Sequence, residues 1–169
     1  MAAEPLIARL VRGAVGGLVS GMIFAGVTMW FASTQPPGKA DMPLHMIASI
    51  VQGGKPAIMA GATSAGVGLA VHVVLSMVFG VVFALIVPML RTNGTIAMVA
   101  TVYGGLLYVV NFWLLSPLLF PVFQDANQPF ELFAHLVFGT VLGFFFYGSG
   151  TRRQEGFLSI GPATHAAPR

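Results

Sequence analysis

Cysteine is absent from the 169 residues, so disulfides, thiolate zinc sites, iron–sulfur clusters and covalently attached c-type haem are excluded, and any bound metal must take His, carboxylate or amide ligands. Charge is almost as scarce. Eight Lys/Arg and five Asp/Glu make up 8% of the chain, against 56% hydrophobic residues, and they gather between long uncharged stretches instead of alternating with apolar positions. A soluble domain needs a polar shell that this composition does not supply. The mean hydropathy of +0.86 therefore reads as an integral membrane protein with the lipid bilayer as its solvent. The formal charge of +3 makes no nucleic-acid footprint, because that takes a basic face and these cations are few and scattered.

Four stretches are apolar and long enough to cross a hydrocarbon core, which takes about 20 helical residues. They lie at 13–33, 66–88, 95–115 and 130–148. This predicts an all-α membrane four-helix bundle in one domain, 1–148, with a flexible cytoplasmic tail at 149–169. The first stretch follows Arg9 and Arg12 as a signal peptide would, but its apolar run exceeds the roughly 7–15 residues of a signal h-region, so it reads as an uncleaved anchor. Arginine sets the orientation, because cations near the ends of spans stay on the cytoplasmic side. Arg9, Arg12, Arg91, Arg152, Arg153 and Arg169 fall on one face. Lys39, Lys55, Asp41, Asp125 and, at the membrane edge, Glu131 fall on the other. Both termini are expected inside, with Trp30 and Trp113 anchoring the outer ends of the first and third spans.

Asn93-Gly94 predicts a tight inner turn. In the first outer connection Asp41 can cap and Pro43 suits a first helical turn, giving a short helix over 44–52. Its face of His45, Ser49 and Gln52 opposes one of Leu44, Ile47 and Val51, the pattern of a helix lying in the interface. The second outer connection, 116–128, mixes Pro117 and Pro121 with Leu118, Phe120, Val122 and Phe123, and is expected to dip into the headgroups or pack on the bundle.

Small residues recur every four positions. Gly13, Gly17, Gly21 and Ala25 form a strip on the first span, Gly68, His72, Ser76 and Gly80 one on the second, and Glu131, His135, Gly139 and Gly143 one on the fourth. Such strips let helix backbones approach closely in lipid. The second and fourth rows run His, small, Gly at the same spacing, which aligns His72 with His135 and hints at a duplicated helix pair.

The segments His72 to Phe79, Pro117 to Phe123 and Glu131 to Val137, ending in Arg152 and Arg153, resemble the YagU-like family of small bacterial inner-membrane proteins. The first span and its loop match it less well. The resemblance implies a bacterial inner-membrane location and the helical architecture, and adds no reaction.

Ionisable side chains inside a span are costly and normally face a partner, a cavity or a ligand. His72 and His135, at similar depth, are the clearest cases, with Glu131 one turn above His135 and Asn111 in the third span. Three readings are open. Each His can bond across helices to Ser76, Glu131, Asn111 or a carbonyl. His72 and His135, with Glu131 beside them, can bind a metal ion, or the two imidazoles can ligate a b-type haem. Or they can serve proton or solute passage. A transporter ordinarily needs broken helices or a polar midplane, and Pro88 lies too near a helix end to supply the break. Ser76 beside His72 lacks the third member of a nucleophilic triad. Gly66 and Gly68 lack the context of a dinucleotide loop and read as packing. The expectation is a non-catalytic membrane protein with no required cofactor, an accessory or assembly subunit of an inner-membrane complex, or a homo-oligomer.

Overall fold

The computed structural model describes residues 4–149, all-α among them. The longest helix, α1 (Leu6–Thr34), has 29 residues, about 43 Å at 1.5 Å per residue. It stops because Pro36 disfavours helical backbone at Gln35, which turns extended at ψ 142°. The connection that follows α1 holds α2 (Met42–Gln52) and the single turn α3 (Gly54–Met59), parted by Gly53 at φ 99°, where a Cβ would be strained. Next come α4 (Ala65–Ile86), then α5 (Asn93–Tyr108), a π-helical stretch Val109–Leu115, α6 (Ser116–Leu119), a 3-10 turn Pro121–Asp125, and α7 (Gln128–Phe144).

Three of these stretches, Leu6–Thr34, Ala65–Met89 and Asn93–Leu119, are long and apolar enough to cross a membrane. The fourth expected span, 130–148, is shorter: α7 has 17 residues, about 25 Å. Past Phe144 the ladder tightens, with Phe145 N–H donating to the Leu142 carbonyl at 3.2 Å and Phe146 N–H to the Gly143 carbonyl at 3.0 Å, before Gly148 turns the chain at φ 79°. Of the expected tail, 150–169 lies outside the described residues.

Asn93 and Gly94 do not form a turn. They open α5, because Thr92 and Thr95 cap it reciprocally: the Thr95 N–H donates to Thr92 Oγ1 at 3.1 Å and the Thr92 N–H to Thr95 Oγ1 at 3.0 Å. Asn93 Oδ1 instead accepts the Gly148 N–H at 2.8 Å, fastening the end of the α7 segment to the start of α5. Asp41 does not cap α2 either, and its carboxylate lies 3.4 Å from His45 Nε2. Nor does α2 simply float between polar and apolar faces: Leu44, Ala48 and Ser49 are all buried. It rests on α4 where a Cβ on Gly68 would collide with the Leu44 carbonyl.

Helices pair through glycine. Along α1 and α4, Gly13 lies against Gly80 and Ala84, Gly17 against Ser76 and Gly80, and Gly21 against Ser76, so the two run antiparallel. A second antiparallel pair, α5 and α7, sets Gly104 against His135 and Gly139, and Gly143 against Ala100. At each of Gly17, Gly80, Gly104 and Gly139 an added Cβ would strike facing backbone, so these crossings admit no larger residue without separating the helices. The two crossings correspond with Gly17 at Gly104 and Gly80 at Gly139. This register aligns Ser76 with His135 and His72 with Glu131, one turn away from the alignment that the His spacing predicts. Backbone fit follows the glycines, and the imidazoles ride on non-equivalent turns.

The pairs join at α1 and α7, where Gly16 meets Leu142 and Phe145 and the rings of Phe31 and Phe130 stack with centroids 3.7 Å apart. Between α4 and α5 the link is made by Tyr103, whose hydroxyl donates to the Phe79 carbonyl at 2.9 Å and whose ring lies 5.3 Å from that of Phe83. Phe83, Ile96, Leu142 and Phe146 are fully buried and fill the half of the bundle nearer Arg9, Arg12 and Arg91. The other half, nearer Lys39, Lys55 and Asp125, is not filled.

Candidate functional site

That unfilled half holds a cavity of about 420 Å³ among α1, α4, α5, the π-helical stretch and α7. Met46, Ile47 and Ile50 of α2 roof it, and Phe120 and Phe123 close it from the segment that leads into α7. Its polar lining is sparse: Thr28, His72, Ser76, Asn111, Glu131 and His135. Leu75 of α4 and Val110 of the π-helical stretch line it while staying 38% and 41% exposed. Here the backbones of α4 and α5 are not closely packed, and these two exposed apolar side chains are where the lining reaches the flank of the bundle.

Each imidazole is held by a backbone carbonyl. His72 Nε2 donates to the Gly21 carbonyl at 2.8 Å, across from α4 to α1, which the close approach at Gly21 makes possible. A neutral ring then keeps its lone pair on Nδ1. Ser76 Oγ, 3.5 Å from His72 Nε2, is at best a long second partner. His135 Nδ1 donates to the Glu131 carbonyl one turn back at 2.7 Å, leaving Nε2 as the acceptor, and the Asn111 amide nitrogen sits 3.3 Å from it. The backbone of Glu131, and not its carboxylate, thus orients His135. The two imidazoles line one cavity without bonding to each other, and they share the ring of Phe24, at 5.5 Å from His72 and 4.9 Å from His135.

The π-helical stretch supplies a whole side of the site. Pro117 has no N–H for the Trp113 carbonyl, and the Ser116 N–H reaches back five residues to the Asn111 carbonyl. The widened turns point Val110, Asn111, Phe112 and Leu115 into the cavity together. Such irregular backbone at membrane depth is stable where it lines a cavity. A chain of side-chain bonds braces it: Trp113 Nε1 donates to the Tyr108 hydroxyl at 3.2 Å, which donates to Gln128 Oε1 at 3.1 Å, and Gln128 Nε2 donates to the Phe123 carbonyl at 3.1 Å. The indole N–H of Trp113 is therefore bonded inside the protein.

Among the described residues no three His, Cys, Asp or Glu side chains are placed to hold a metal ion. With no such cluster, a redox or metal-cofactor role for His72, His135 and Glu131 is not supported. Comparison of the chain with family models, with curated proteins and with solved structures finds no match. The multi-pass helical membrane character stands on the helices themselves.

Sequence reasoning singled out His72, His135, Glu131 and Asn111, and all four line this cavity. It passed over Thr28, Phe24 and Phe112, whose spacing resembles any apolar helix face, and it passed over the π-helical stretch. Pro117, placed after Asn111 in an apolar helix, was the available signal. His45 stands apart: its Nδ1 lies 2.8 Å from Thr63 Oγ1, a link between α2 and the start of α4.

Proposed function

We propose that this chain is a non-catalytic membrane protein that takes a small apolar or amphipathic molecule from the bilayer into the cavity between α4 and α5. It works as an accessory subunit of a bacterial inner-membrane complex, with four spans and both termini in the cytoplasm. The observation that carries the reading is a cavity whose lining reaches the exposed apolar flank at Leu75 and Val110 and encloses a small set of oriented polar groups. Ligand sites have this form: mostly apolar walls, volumes of about 300–1,000 Å³, and a few polar groups that fix orientation. The packed half around Phe83 and Phe146 blocks a continuous path, which favours holding a molecule over conducting one. The arginines at one end of the bundle favour the cytoplasmic placement of that end. The resemblance to the YagU-like family agrees with location and architecture.

Native mass spectrometry of protein extracted in nanodiscs from its own membrane tests the reading. The wild type is expected to carry a stoichiometric non-protein mass, and Val110→Trp, which narrows the cavity at its exposed flank, is expected to lose it. A wild-type mass equal to that of the polypeptide alone overturns the proposal.

A further inference from the structure

Most of the polar lining that the fold leaves unpaired accepts hydrogen bonds; the donors left over are the Ser76 hydroxyl, 3.5 Å from a His72 Nε2 already spent on Gly21, and the second N–H of the Asn111 amide. The Glu131 carboxylate lines the cavity with no hydrogen-bond or ion-pair partner among the described residues. His72 spends its N–H on the Gly21 carbonyl, so the lone pair on Nδ1 is left over. Thr28 spends its proton on the Ala25 carbonyl at 3.1 Å, leaving only acceptor capacity. Asn111 turns one amide N–H to His135, which leaves its carbonyl oxygen and its second N–H. No Lys or Arg lines the cavity to balance the carboxylate.

The apolar wall is rich in aromatic rings. Phe24, Phe79, Phe112, Phe120, Phe123 and Phe138 surround the polar groups, and the face of an aromatic ring carries the negative part of its quadrupole and attracts cations most strongly where water is excluded. A carboxylate without a counter-ion is costly at this depth. Phenylalanine rings beside it do nothing for an anion, whereas around a bound cation the two features act together. The lining reaches an exposed apolar flank, which selects molecules that partition into a bilayer.

Resting on the ligand-binding reading above, we infer that the cavity is a site for lipophilic organic cations, with the Glu131 carboxylate as counter-ion and the phenylalanine rings as cage. Recognition is by charge and aromatic contact, so delocalised or alkylated cations are bound and anions of the same shape are refused.

Tetraphenylphosphonium and tetraphenylborate share one shape and differ in the sign of charge, and triphenylphosphine oxide is a neutral comparator. Equilibrium binding of each is measured on the full-length protein in nanodiscs of zwitterionic lipid. Tetraphenylphosphonium is expected to bind saturably, tetraphenylborate not to bind, and Glu131→Gln to weaken the phosphonium by about tenfold or more while leaving the neutral oxide unchanged. Glu131→Asp keeps the charge and is expected to fall between the two, which separates loss of charge from loss of fold. Borate binding as tight as phosphonium binding, or a phosphonium affinity indifferent to Glu131→Gln, overturns the cation inference. If the neutral oxide binds saturably in that case, the cavity reading survives it; if no probe binds, both fall.

Discussion

At the scale of single residues, the two buried histidines do structural work through atoms that the fold can name. His72 joins α4 to α1 through a carbonyl that its own helix pair brings within 2.8 Å, and His135 is clamped to its own helix at Glu131 while receiving Asn111 from the neighbouring one. Hydrogen bonds between helices in lipid contribute about 0.6 kcal/mol on average and up to about 1.7 kcal/mol. Thermal unfolding in detergent is therefore expected to place His72→Gln, which keeps an N–H donor, above His72→Phe, which fills the space without one, by an amount in that range. Equal stabilities would mean that the bond to Gly21 contributes nothing. These ionisable positions were legible in the sequence because a His or Glu inside an apolar stretch has few inexpensive explanations. Their partners were not, because a backbone carbonyl such as that of Gly21 leaves no mark in the sequence.

At the scale of elements, glycine decides which helices meet. The four-residue period of Gly13, Gly17 and Gly21 made the strip on α1 visible, and the structure sets it against Ser76 and Gly80. The equivalent crossing on α5 depends on Ala100 and Gly104, too sparse a pattern to stand out, so the sequence points to the register of the histidines instead. Misreading Asn93-Gly94 as a turn has a similar origin: the dipeptide is a strong local signal, but the reciprocal cap between Thr92 and Thr95 draws it into the helix. Leucine at Gly17 or Gly104 should cost each crossing at least the roughly 1–3 kcal/mol of ordinary overpacking, because the obstacle is backbone that cannot repack. Gly26, with no atom within 4 Å of a built Cβ, provides the comparison, and Gly26→Leu should leave the melting temperature nearly unchanged. A loss at Gly26 matching that at Gly17 and Gly104 would show that leucine acts through something other than the crossings.

At the scale of the whole molecule, two closely crossed helix pairs meet along α1 and α7 but stand apart along α4 and α5, and the consequences differ at the two ends. Toward Arg9 and Arg91 the gap is filled by Phe83, Tyr103 and Phe146. Toward Lys55 and Asp125 it is left as a cavity under α2, latched outside by Lys55 Nζ on Asp125 Oδ2 at 2.6 Å. That ion pair is exposed at both partners, and such pairs typically contribute little, so the cavity's shape rests on the π-helical stretch and its bonds to Gln128. The all-α membrane character could be read from composition and the length of the apolar stretches. The cavity could not, because it arises from what the helices fail to fill. The most direct test is a structure of the protein in nanodiscs made from its native membrane, at a resolution that shows side chains. Expected is an open gap between α4 and α5, with non-protein density inside it touching Asn111 and Glu131. Helices α4 and α5 closed on each other, with Phe24 and Phe112 filling the space between them, would contradict the ligand-holding role.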